Sequence, residues 1–368
     1  MINKDRLINT FLDLVRLDSP SGQEKPVADH LCALLRARGY DVHVDNAGTF
    51  FGGNSGNVIA RVPATGPGDA MAFSAHMDCV TPCLGVEPVL TDGIIRSASN
   101  TVLGGDDKAG ISAILEALFH LEENSIPHPE LFLLFTVCEE AGMFGAKHMD
   151  FSRVKAREVV VLDSSGDVGT IIVRAPSKAG MTITFHGRSA HAGIEPEKGI
   201  SAIQMAANAI SRMKLLRIDE ETVANLGRIE GGGQTNIVPD SVTLTGEARA
   251  QSNARLMAQI EHMRLCCVEA AQEAGGNFDF SHEISYPAMD VPADSKLLHR
   301  ALHACNDLNL IAAVKGTGGG SDANIFSGQG LSCINLGIGM NRVHTTDEFI
   351  RVDDMVKAVQ LTAALMQR

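Results

Sequence analysis

Two apolar runs, residues 131–137 (with Thr136 as the one polar member) and 159–162, are closely followed by acidic residues: Glu139-Glu140 one residue after the first, Asp163 directly after the second. A strand with one face in water alternates apolar and polar side chains. One that is apolar throughout belongs to a sheet covered on both faces. The chain is therefore restricted to architectures in which helices sandwich a sheet, and the acidic residues must sit where the strands end.

The rest of the chain supplies the helices. Leu7, Ile8, Phe11, Leu12, Leu14, Val15 and Leu17 recur on one helical face. Ser19-Pro20-Ser21-Gly22-Gln23-Glu24 breaks that pattern, and Ser21 with Glu24 predicts a capping box for a second helix that stops at Gly39. Strands are expected at 41–44, 57–62 and 70–75, and a helix at 108–122, before the two buried strands. From Ala175-Pro176 the pattern changes to a half-buried strand at 181–185, a helix at 199–213, strands at 223–229 and 241–249, a helix at 254–274 and a strand at 277–284. That β-α-β-β-α-β order predicts a ferredoxin-like α+β insert. A helix near 295–308, a strand near 332–336 and a helix from Asp353 then resume the first pattern. The expected organisation is one three-layer α/β catalytic domain in two segments, 1–175 and 288–368, interrupted by a smaller lid, 176–287. A length of 368 residues also favours two domains over one core.

Net charge is −13 with 20% charged residues, which argues against a nucleic-acid partner or an anionic membrane surface. No segment is apolar for long enough to span a bilayer. The first residues lack the apolar core and cleavage site of a signal peptide, and the eight cysteines show no framework spacing. Reduced thiols and a cytoplasmic location are expected. Cys79 and Cys83 have the spacing of half a zinc site, but no partner pair follows; apolar packing is the expected role.

Five stretches carry acidic or imidazole groups near element ends: Ser74-Ala75-His76-Met77-Asp78, Gly104-Gly105-Asp106-Asp107-Lys108, Cys138-Glu139-Glu140-Ala141-Gly142, Leu162-Asp163-Ser164-Ser165 and Arg342-Val343-His344-Thr345-Thr346. Singly, each has an ordinary explanation: a hydrogen-bonded His-x-Asp pair, a helix cap, a solvated glutamate pair, a turn, an exposed histidine. Together, at the strand ends where open α/β sheets build their sites, they offer the nitrogen and oxygen donors zinc accepts. One bridging carboxylate with two ligands on each side would hold two metals about 3.5–4 Å apart.

The set resembles the family of di-zinc exopeptidases and deacylases that includes peptidase T, carboxypeptidase G and succinyl-diaminopimelate desuccinylase. The resemblance spans essentially the whole chain. Residues 103–110 and 343–349 look closest to the peptidase T branch. It implies that His76 and Asp163 bind one zinc, His344 and Glu140 the other, and that Asp106 bridges them. It implies a cis peptide between Asp106 and Asp107, a hydrogen bond from His76 to Asp78, and Glu139 as the general base acting on a metal-bound water. Substrate-binding roles are implied for His191 in 187–193, Asn236 in 232–238 and Arg249 in 246–249, with a loop histidine or a salt-bridged surface arginine as the ordinary alternatives. The glycine-rich loop 316–322, with Gly319, lacks the Gly-Lys-Ser/Thr ending of a phosphate loop and suits a backbone cradle for substrate.

The resemblance thus implies a zinc-dependent tripeptidase or aminopeptidase with two Zn per chain, replaceable by Co or Mn, acting as a homodimer on short peptides. A deacylase of N-acyl amino acids with the same centre, or a silent peptide-binding relative, are the alternatives. The absence of tryptophan and the presence of only two tyrosines leave no aromatic shelf for a large ring and favour small aliphatic substrates.

Overall fold

A computed structural model describes residues 2–367. Leu7, Phe11 and Leu14 form the buried side of α1 (Lys4–Val15), and the Asn3 side chain caps it by accepting from the Arg6 amide. The second helix, α2 (Lys25–Ala37), starts with Pro26 in its first turn. The expected Ser21–Glu24 capping box does not form. Ser21 Oγ donates instead to Asp78 at 2.6 Å, and Glu24 Oε1 accepts from the amides of Gly22 at 2.7 Å and Cys138 at 2.9 Å. The Glu24 carboxylate is wholly buried and takes its hydrogen bonds from one nearby amide, Gly22, and one distant amide, Cys138, so it does not cap the helix end.

The chain continues through β1 (Asp41–Val44), β2 (Val58–Val62), β3 (Met71–His76), a hairpin of β4 (Pro88–Thr91) and β5 (Ile94–Ser97), and α3 (Gly105–Glu123). Next come β6 (Leu131–Thr136), the single-turn α4 (Phe144–Lys147), β7 (Glu158–Ser165) and β8 (Thr170–Ala175). The second stretch holds β9 (Ser177–His186), α5 (Ala202–Arg212), β10 (Leu216–Arg217), β11 (Thr222–Gly231), β12 (Ser241–Ala250), α6 (Asn253–Ala274) and β13 (Asn277–Tyr286). The last holds β14 (Met289–Asp290), α7 (Lys296–Asp307), β15 (Ala313–Gly316), α8 (Asp322–Gly328), β16 (Ser332–Asn341), β17 (Phe349–Arg351) and α9 (Val352–Met366). The β4–β5 hairpin escapes a reading by apolar runs because its strands are half exposed. Its turn was nonetheless signalled: Asp92 and Gly93 both have positive φ, 50° and 75°, as an Asp-Gly hairpin turn requires.

Two compact units result: 1–174 with 290–317 and 321–368, and 175–289 with 318–320. Residues 318–320, expected in the catalytic segment 288–368, group with the second unit. In the first unit a twelve-stranded sheet runs β1-β2-β6-β3-β7-β16-β17-β5-β4, with β8 beside β16. All six residues of β3 and all six of β6 are buried, so both faces of the sheet centre are covered and the α/β architecture is three-layered. Strands β6, β3, β7 and β16 are mutually parallel, which brings their C-terminal ends to one edge. In the second unit a five-stranded antiparallel sheet runs β10-β11-β12-β9-β13. Ala179, Met181, Ile183 and Phe185 of β9 and Val242, Leu244 and Ala248 of β12 pack into one core with residues of α5 and α6, such as Met205 and Met263. The opposite sheet face holds the alternate residues, among them Lys178, Glu247 and Arg249.

Candidate metal centre

The parallel strands deliver the site. His76 ends β3; Cys138, Glu139 and Glu140 follow β6; Asp163 lies in β7. Asp163 was expected just past the end of its strand, but β7 runs on to Ser165 because β16 continues to pair with it at Ser164 and Ser165. Asp106 and Asp107 stand in the first turn of α3 with non-helical backbone angles, and the peptide between them is cis, as the resemblance implied. His344 comes from the loop between β16 and β17 with φ of 63°, and Cys138 turns the loop after β6 with φ of 54°. Left-handed backbone at non-glycine residues is uncommon; both of these loops use it, as do turns elsewhere in the fold such as those at Asp92, Ser125 and Asn309.

The Asp106 carboxylate is the centre of the cluster. Its Oδ1 lies 3.1 Å from His76 Nε2, and its Oδ2 lies 3.3 Å from His344 Nε2. His76 Nε2 also approaches Asp163 Oδ1 at 3.8 Å, and His344 Nε2 approaches Glu140 Oε1 at 3.0 Å. The two imidazoles therefore face opposite oxygens of one carboxylate, each with its own second carboxylate. Side-chain exposure separates them: His76 is 2% exposed and His344 53%.

A buried scaffold holds these groups. Asp78 Oδ1 accepts from the Glu139 amide at 2.9 Å, and its Oδ2 accepts from the Glu140 amide at 3.1 Å. His76 Nδ1 lies 3.1 Å from the Asp78 carbonyl oxygen and 3.4 Å from its carboxylate. Asn335 accepts from the Asp163 amide at 3.0 Å, donates to the Asp163 carbonyl at 3.2 Å and donates to Ser321 Oγ at 3.1 Å. Glu348 accepts from the amides of Gly104 and Asp106. Asp107, left without a role by the sequence reading, is fully buried and accepts from the amides of His76 at 3.2 Å and Gly110 at 3.1 Å. Its place beside Asp106 in the second stretch was the available signal; nothing local marked Asn335 or Glu348.

The electrostatics are those of crowded carboxylates. Burial, and then the Asp163 charge, holds Glu139 well above the usual carboxylate range. Burial also lifts Asp163, against the pull of His76, and lifts Asp107. Burial would raise Asp106 too, but hydrogen bonds from His344 and His76 outweigh it and hold Asp106 below its ordinary value. Asp106 and Glu140 in turn push His344 up to about 10. Burial alone would lower His76, yet Asp106 and Asp78 carry it well above its ordinary value.

Five carboxylates, from Asp106, Asp107, Glu139, Glu140 and Asp163, thus surround two imidazoles. The donor atoms of His76, Asp106 and Glu140 lie within 4.8 Å of one another, as do those of His76, Asp107 and Asp163. Such a donor set fits divalent cations that take imidazole nitrogen and carboxylate oxygen, and the raised carboxylates mark negative charge that a cation would balance. The thiols take no part: all eight cysteines are free and buried, and Cys79 Sγ meets Lys108 Nζ at 2.6 Å.

The groups expected to bind substrate lie in the second unit. His191 is exposed; its Nδ1 accepts from the Gly193 amide, and the neighbouring Ala192 amide bonds the Asn236 carbonyl at 2.9 Å. Arg249 Nε donates to Glu247 at 2.9 Å and its Nη1 to the Gly318 carbonyl, next to Gly319, at 3.3 Å.

The profile of Peptidase family M20/M25/M40 matches residues 72–368. Aminopeptidase PepT from Bacillus cereus ATCC 10987 superposes with a TM-score of 0.95 at 40% identity, over 100% of this chain and 98% of that one. A tripeptidase from Staphylococcus aureus subsp. aureus Mu50 does so with a TM-score of 0.95 at 37% identity, over the same 100% and 98%. Peptidase T of Escherichia coli O1:K1 is 26% identical over 415 residues, covering 99% of this chain and 98% of that protein.

Proposed function

The chain belongs to peptidase family M20/M25/M40 and is a peptidase T-like metallopeptidase; from that premise we propose that it hydrolyses amide bonds of short peptides, of tripeptide size, at a two-zinc centre. The observation that carries the proposal is the Asp106 carboxylate, with one oxygen toward His76 and the other toward His344. His76 and Asp163 would hold one ion and His344 and Glu140 the other, with Asp106 a ligand available to both. Asp107 keeps both oxygens on backbone amides and serves as a clamp. When bound, the metals supply Lewis acidity that polarises the scissile carbonyl and acidifies water.

Proton transfer falls to Glu139. Its carboxylate is buried and its affinity for protons is raised, which suits a base that works near neutrality. It takes the proton of the attacking water and returns it to the departing amine. Asp78 fixes the amides of Glu139 and Glu140 and orients His76, so the base and both neighbouring ligands move as one unit. His191, Asn236, Arg249 and Gly319 bind the substrate backbone and its terminal carboxylate. Free buried thiols suit the cytoplasm, and a homodimer follows the habit of the family.

The test is a panel of free tripeptides against N-acetylated amino acids, run with the metal content measured. Turnover of tripeptides at two metals per chain is expected; turnover of the acylated compounds alone would make the protein a deacylase.

A further inference from the structure

Nothing in the metal centre explains a second charged constellation on the open face of the five-stranded sheet. Glu247 has both oxygens engaged: one accepts from Arg249 Nε at 2.9 Å, the other meets Lys178 Nζ at 2.9 Å. Register sets this up. Glu247 and Arg249 are two apart on β12 and so share a face, and Lys178 on β9 stands directly opposite Arg249. The cations draw Glu247 below its ordinary pKa although burial opposes them. Arg249 has one further partner, the Gly318 carbonyl. Two residues on, the same loop lies against Tyr286 so closely that a Cβ on Gly320 would run into the ring.

A guanidinium has five donors, one on Nε and two on each Nη. Glu247 takes the Nε donor and Gly318 one on Nη1, which leaves three. The Nε–Nη2 edge is closed to a second carboxylate. The pair that remains able to take both oxygens of a planar carboxylate is the end-on Nη1–Nη2 pair. The triad also carries one net positive charge, Lys178 and Arg249 against Glu247, which matches one carboxylate. A lone, flexible surface arginine would have neither property.

We infer that Glu247, braced by Lys178, is a positioning residue that fixes the Arg249 guanidinium so that its end-on edge selects substrates with a free terminal carboxylate. The inference rests on the proposed role of Arg249 as the substrate-carboxylate anchor and adds what makes that anchor selective. Glu247 touches no reacting atom. Its removal acts on binding of one substrate class and leaves the chemical step alone.

The experiment uses the full-length metal-loaded enzyme with a tripeptide and its C-terminal amide. Arg249→Gln should abolish the preference for the free acid. Glu247→Ala should raise KM for the free acid about tenfold, with kcat and the KM of the amide nearly unchanged. Glu247→Gln, whose amide oxygen still accepts from Nε, should restore most of the binding. Lys178→Met, which leaves the Glu247–Arg249 bond in place, should give a smaller rise of the same kind and serves if Glu247→Ala does not fold. If Arg249→Gln removes the preference while Glu247→Ala and Lys178→Met leave it intact, or raise KM equally for acid and amide, the positioning role is wrong and the anchor stands. If Arg249→Gln itself leaves the preference intact, the anchor is wrong and the inference falls with it.

Discussion

Glu348 Oε1 accepts a hydrogen bond from the backbone amide of Asp106 at 2.9 Å, while its Oε2 accepts from Gly104 at 2.8 Å. The residue is 2% exposed, so these amides have no water to fall back on. The segment that presents His344 thereby also sets the turn that presents Asp106, and two parts of the proposed metal centre share one clamp. Glu348→Gln puts an amide NH2 against a backbone N–H. It should cost about 1–3 kcal/mol of stability for the donor left unpaired. Metal affinity should fall by about 10–100-fold, as for other groups that hold a ligand in place. Thermal melting and a metal titration measure both, and unchanged affinity would remove Glu348 from the centre.

Metal and protons should compete. In the metal-free protein His344 is raised to about 10 and His76 is raised as well. A raised histidine stabilises the fold fully below its unfolded pKa, about 6.5, and that stabilisation is lost as pH climbs through the folded value. Asp163 and Glu139, also raised, lose theirs in the same direction. The metal-free melting temperature should therefore fall as pH rises, beginning above about pH 4 for the two carboxyls and continuing from about pH 6.5 toward pH 10 for the histidines. Metal at about 100 times its dissociation constant should add about 2.7 kcal/mol and flatten the fall, releasing protons as it binds. Melting curves and calorimetry in buffers of different ionisation enthalpy test this; identical pH slopes with and without metal would refute it.

Glu24 gives a second, separable pH dependence. Burial, then the Asp78 charge, pushes its carboxyl up to about 7. Its folded-state proton is held more tightly than in the unfolded chain, so stability from this group is present at acid pH and is lost as pH rises through 7. Glu24→Gln keeps an oxygen for the Gly22 and Cys138 amides without the charge. Relative to wild type it should gain roughly 1–3 kcal/mol on going from about pH 5 to pH 8. Denaturant melts at the two pH values would show a constant difference if Glu24 titrated normally.

Gly110 sits where α3 passes β7. A Cβ there would strike the Asp107 carboxylate and the Leu162 carbonyl, the residue before Asp163. Neither is the free end of a flexible chain, so Gly110→Ala should displace both the clamp and a proposed ligand. A loss of about 1–3 kcal/mol in stability is expected, the range for overpacking, together with weaker metal binding. Wild-type metal affinity in a folded Gly110→Ala protein would show that the two elements can part without disturbing the site.

The sheet and the candidate ligands were legible because their signals are local. The apolar run of β6 reports its own burial, and His76, Asp106, Glu139, Glu140, Asp163 and His344 are chemically conspicuous within short stretches. What holds them was not legible. Ser21 meets Asp78 across 57 residues and Glu348 meets Asp106 across 242, and periodicity carries no record of such pairings. Ser21 and Glu24 even spelled a helix cap, because the hydroxyl and carboxylate that make a cap serve a buried scaffold equally well, Ser21 as a donor to Asp78 and Glu24 as an acceptor from amides. Asn335 is one polar residue in an apolar strand, and its role exists only once β16 lies beside β7. The β4–β5 hairpin was missed for a different reason: its Asp-Gly turn was a readable signal, passed over in favour of apolar runs.

The division of labour between adjacent glutamates is the central claim. Glu139 is assigned proton transfer and Glu140 coordination, although they are neighbours in the chain and Asp78 holds both amides. Steady-state rates and metal stoichiometry of Glu139→Gln and Glu140→Gln, measured side by side, test it most directly. Glu139→Gln should keep both metals and near-normal substrate binding while kcat falls by about 10²–10⁴-fold; Glu140→Gln should lose metal affinity. A Glu139→Gln protein that sheds a metal, or that turns over at close to the wild-type rate, would contradict the account.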